Sequence, residues 1–107
     1  MGKVTELGPA DLDTLLPQLP AELRGIVRAV ARPGVAYLAL LFAHDRRSVV
    51  SSRVAERALD RASRDTPVLA IGGNFTVEAL ERLAAHGAVV ARFSEFHWTD
   101  PSYQTLP

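Results

Sequence analysis

The side chains able to do chemistry fall mainly in three short stretches of the sequence. The first is His44-Asp45-Arg46-Arg47, followed closely by Ser51 and Ser52. Adjacent arginines can grip a phosphate or carboxylate through forked hydrogen bonds, and the two hydroxyls could complete the grip. The second is Gly72-Gly73-Asn74-Phe75-Thr76. Paired glycines let a backbone turn sharply and let a ligand come close. A helix beginning just after them would aim free N–H groups and its positive end at an anion. The third is Ser94-Glu95-Phe96-His97-Trp98-Thr99-Asp100. Here His97 could serve as a general base oriented by Glu95 or Asp100. With Asp45, the same groups could hold a divalent cation, and Trp98 could stack on a ring.

Each stretch also has a plain architectural explanation. Ser51 or Ser52 can cap one helix and Asn74 or Thr76 the next, while Phe96, Trp98 and Tyr103 can clamp an irregular tail. The glycine pair lacks the third glycine of a dinucleotide fingerprint and the lysine of a Walker loop. No Gly-x-Ser-x-Gly or His-Glu-x-x-His occurs, no spacing specifies a metal site, and no cofactor is implied. With zero cysteines, thiolate zinc sites, iron–sulfur clusters, disulfides and cysteine nucleophiles are excluded.

Twelve basic and twelve acidic residues balance, which disfavours nucleic acid and anionic membrane as general partners. The balance is uneven along the chain, however. Residues 46–53 hold three arginines and no acid, so an anionic small molecule is the natural ligand class. The 107 residues suit one domain, and the 48% apolar content suits a packed core. The longest apolar run, residues 34–43, is about half of what spans a bilayer, and the start has no leader-like apolar stretch. A cytoplasmic protein is expected.

The apolar pattern gives the elements that must position these stretches. Residues 1–33 read as helical: Leu12, Leu15, Leu16 and Leu19 share a face that Pro17 interrupts, and Pro20 opens a second helix with the stripe Leu23, Ile26, Val27 and Val30. Residues 35–43 are apolar on every side and are taken as a buried strand. Val50, Val54, Ala58, Leu59 and Ala62 form a helix face, with Arg57–Asp60, Asp60–Arg64 and Arg61–Asp65 spaced for weak ion pairs outside. Residues 68–71 make a strand that stops at the glycines. A helix follows, with Val77, Leu80, Leu83 and Ala84 inward and Gly87 as terminator, and residues 88–93 make a last strand.

The expected fold is therefore α/β: two N-terminal helices, then a βαβαβ core over 34–93, then an aromatic tail over 94–107. Its parallel sheet has three strands, or four if residues 4–7 or part of the tail joins. Open edges would otherwise invite a second copy, so a homodimer is expected. The loops after parallel strands converge at one rim. The expected function is a non-catalytic binding or interaction domain holding an anionic ligand there, through Arg46, Arg47, Ser51, Ser52, Gly72, Gly73, Asn74, Thr76 and Trp98. One alternative is a metal-dependent phosphoesterase using Asp45, Glu95, His97 and Asp100. Another is a nucleic-acid-binding domain, because residues 78–93 resemble the helix and wing of winged-helix proteins, which would make residues 35–43 a helix.

Overall fold

The computed structural model describes residues 4–42, 49–63 and 65–92. Strand β4, Val68–Gly72, is buried along its whole length and lies inside a four-stranded sheet. Its sequence, Val-Leu-Ala-Ile-Gly, has no polar face, as a parallel strand covered on both sides requires. Strand β2, Tyr37–Leu41, pairs with it in parallel on one side, and β6, Val89–Arg92, on the other. The apolar run is thus strand over Tyr37–Leu41, and the winged-helix arrangement, which needs a helix there, does not describe this chain.

The chain does not open with helix. Strand β1, Thr5–Ala10, comes first among the described residues and is the fourth strand expected of residues 4–7, but it is longer and pairs antiparallel with β2, giving the mixed order β1-β2-β4-β6. Its sequence, Thr-Glu-Leu-Gly-Pro-Ala, contains residues that strands usually avoid, but an edge strand tolerates proline. Leu7 faces Ala39 and Ala10 faces Tyr37, so β1 takes three steps where β2 takes two. That extra residue at Gly8–Pro9 is a bulge. Without it, Leu7 and Ala10 would point to opposite faces; with it, both join one core. The Gly8–Pro9 peptide is cis, and Gly8 has φ +93°.

Helix α1, Leu12–Leu15, runs into a 3-10 turn at Leu16–Gln18 that accommodates Pro17, and α2 spans Ala21–Val30. Leu15, Leu16, Leu19, Leu23 and Val27 close over Tyr37, Ala39, Leu69, Ile71 and Ala91 on one sheet face. Each fully buried leucine or valine contributes about 1.5–3 kcal/mol. Two polar ties hold this layer. Arg24 Nε donates to the carbonyls of Leu16 and Leu19 at 3.0 and 3.2 Å, and Tyr37 accepts from Arg32 N–H at 3.0 Å. Val30, expected inside, is exposed beside the end of its helix.

The opposite face is covered by α3, Ser52–Leu59, and α4, Val77–His86. Their Ala55, Ala58, Ala79 and Leu83 pack with Leu38, Leu40, Phe42, Val68 and Ala70. Both connections, β2 to β4 and β4 to β6, step the same way across the sheet, so crossovers of the usual hand place both helices on the same side. Ala79, not Ala84, supplies the inner small residue of α4, and Ala84 is exposed. Helix α3 stops at Leu59, short of most of the expected ladder of ion pairs, whose Arg64 lies outside the described residues; Arg61 lies 4.0 Å from Glu6. Such an exposed pair contributes little.

Two outcomes follow from this architecture. A Cβ on Gly8 would sit 2.6 Å from both the Tyr37 carbonyl and the Ala10 nitrogen, at a φ that L residues rarely adopt. Gly8→Ala should lower unfolding stability by about 2–4 kcal/mol in urea titration, the combined scale of backbone strain and overpacking. Asp11 caps α1, accepting from Thr14 N–H at 3.0 Å, and hydrogen bonds from the Thr14 side chain and then its backbone hold the carboxyl below its ordinary 3.8. A depressed folded value means the charged form adds stability above about pH 4 that is lost as pH falls through the lowered value. Asp11→Asn keeps the acceptor and removes the charge, so the melting-temperature gap between it and wild type should close on acidification.

Candidate functional site

Beyond the C-terminal ends of the main strands, two short segments pair with each other. Val49–Val50 forms β3 and Asn74–Phe75 forms β5, parallel, with Val49 opposite Asn74 and Val50 opposite Phe75. Thr76 N–H extends the ladder by donating to the Val50 carbonyl at 3.0 Å. Val50 therefore belongs to this small sheet, not to the helix that follows it. The pairing brings Ser51 and Ser52 beside Asn74 and Thr76, and starts α3 and α4 next to each other, pointing the same way. Two positive helix ends thus share one rim.

Much of the polar capacity at this rim is already used. Ser51 Oγ accepts from Val54 N–H at 3.3 Å and caps α3. Thr76 Oγ1, 1% exposed, accepts from Ala79 N–H at 3.0 Å and caps α4. Each cap contributes about 1 kcal/mol. Ser52 and Asn74 are buried and make polar contacts of their own.

The glycines have a packing reason as well. Neither Gly72 nor Gly73 has a positive φ. A Cβ on Gly72 would come within 3.0 and 3.2 Å of the Phe75 ring and 3.4 Å of Phe42 Cβ. Those two rings meet edge to face, with centroids 5.8 Å apart. The close approach that Gly72 permits is thus made by Phe75.

One residue at this rim was not singled out from sequence. Arg92 ends β6 and lies in register with Gly72. Ile71 and Ala91, one step earlier, face the α1–α2 layer. Strand alternation therefore turns Gly72 and Arg92 toward the α3–α4 side. Arg92 is partly buried, and its Nη1 is out of solvent without a hydrogen-bond partner among the described residues. Its signal in the sequence is a single charge closing an apolar strand. On the opposite corner, the first turn of α3 contains Arg53 and no acid, whereas that of α4 contains Glu78.

Asp45, Arg46, Arg47, Glu95, His97, Trp98 and Asp100 lie outside the described residues. Among the described residues, no three histidines or carboxylates gather where a metal ion could sit. A depression of about 390 Å³ follows one face of α4, lined by Glu78, Glu81, Arg82 and Ala85. Its guanidinium is bridged to Glu56 at 2.8 Å, and its carboxylates make it a poor fit to an anion. The strand order also rises without reversal, so the described strands offer no switch-point crevice of the kind that holds nucleotides. Among the described residues, no helix is long and apolar enough to cross a membrane.

Fold and rim together define a small three-layer α/β domain with a largely parallel sheet. Comparison with family models, with curated proteins and with solved structures found no match to this chain.

The packing account of Gly72 can be tested directly. Gly72→Ala should destabilise by about 1–3 kcal/mol, as overpacking does. In a Phe75→Leu background the same change should cost less, giving a coupling of at least about 0.5 kcal/mol in a double-mutant cycle. Simple additivity would show that Phe75 is not what excludes a side chain there.

Proposed function

We propose that this chain is a non-catalytic binding domain that holds an anionic group, phosphate or carboxylate, at the rim beyond the ends of β4 and β6. The observation that carries this is the buried Nη1 of Arg92, which has no hydrogen-bond partner among the described residues. A guanidinium stays charged, and a buried donor without an acceptor costs about 1–3 kcal/mol, more when charged. An oxyanion would supply that acceptor. Arg53 at the start of α3 reverses the usual preference for acids in a first turn, and an anion nearby would offset both. The ligand would then meet backbone N–H groups of Gly73 and of the α3 and α4 starts, since the hydroxyls of Ser51 and Thr76 are committed to caps. Arg46 and Arg47, on the segment joining β2 to β3, would add positive charge to the same end of the sheet.

The test is a titration with inorganic phosphate followed by amide and guanidinium NMR. Shifts should concentrate at Gly72, Gly73, Thr76 and Arg92, and Arg92→Gln should weaken binding at least tenfold, about 1.4 kcal/mol, with an unchanged circular dichroism spectrum. No site-specific shift for phosphate or acetate up to roughly 10 mM, where even a Kd of about 1 mM would register, would sink the proposal.

Self-association through β6 belongs to the same proposal. Edge strand β1 is interrupted by its bulge and by Pro9, a usual protection against pairing, whereas β6 carries neither proline nor glycine. Among the described residues, no strand covers its outer side. Sedimentation velocity should show a dimer, with amide exchange at residues 89–92 slowing as the dimer forms; a monomer throughout would remove this part.

A further inference from the structure

We draw no further inference here: the strongest candidate, the half-buried guanidinium of Arg92 where β6 ends beside Gly72, belongs to the rim already described, and nothing else at that place points independently to a ligand.

Discussion

Every residue of β4 is out of solvent, and its two neighbours in the sheet run parallel to it. A strand in that position can satisfy its backbone only through ladders on both sides, and its side chains only through cover on both faces. The rest of the chain meets those demands in turn. Helices α3 and α4 cover one face because parallel neighbours need crossover connections, and those crossovers fall on one side. The other face would be left bare. Cover for it comes from the segment before β2, where the leucines of α1, the 3-10 turn and α2 close over Ala39, Leu69 and Ile71. Strand β1 then shields the flank of β2, and its bulge lets Leu7 and Ala10 reach the same core.

The same constraint builds the rim. Parallel strands deliver the starts of α3 and α4 to one end of the sheet, where their leading segments must settle their own backbone groups. They do so by pairing with each other as β3 and β5, with Thr76 N–H as the last rung. Rigidity at this end therefore comes from the protein itself, before any ligand is considered. A preorganised rim of this kind suits binding, because little ordering remains to be done when a partner arrives.

The central architecture was legible because its signals are local. The apolar runs of β2 and β4, the glycine closing α4 and the cap at Thr76 each depend on neighbours in sequence. What escaped depends on distant partners. A fourth strand over residues 4–7 was foreseen, but not its antiparallel run through Gly8 and Pro9, which only its place at the edge beside β2 makes acceptable. Ala79 and Ala84 are the same residue type, one just before Leu80 and the other just after Leu83 of the α4 stripe. Only the approach of α3 decides which of them is inside. Gly72 signals closeness without naming what comes close, and the answer, Phe75, lies three residues on, folded back over it. Arg92 was hidden for a related reason. Its meaning lies in its register with Gly72, which a linear reading of β6 does not contain.

Gly72 and Arg92 together separate architecture from function at this rim. They occupy equivalent positions on adjacent strands and, by alternation, face the same side. The first is explained completely by what touches it: the Phe75 ring fills the space a side chain would take, and Phe42 braces that ring. The second is not. Packing can account for an aliphatic stem lying along apolar neighbours, but not for a charged nitrogen withdrawn from water with no acceptor among the described residues. A residue selected for packing alone would end β6 with another valine or leucine, at lower cost. The charge at that position is a feature of the described rim that no contact among the described residues explains.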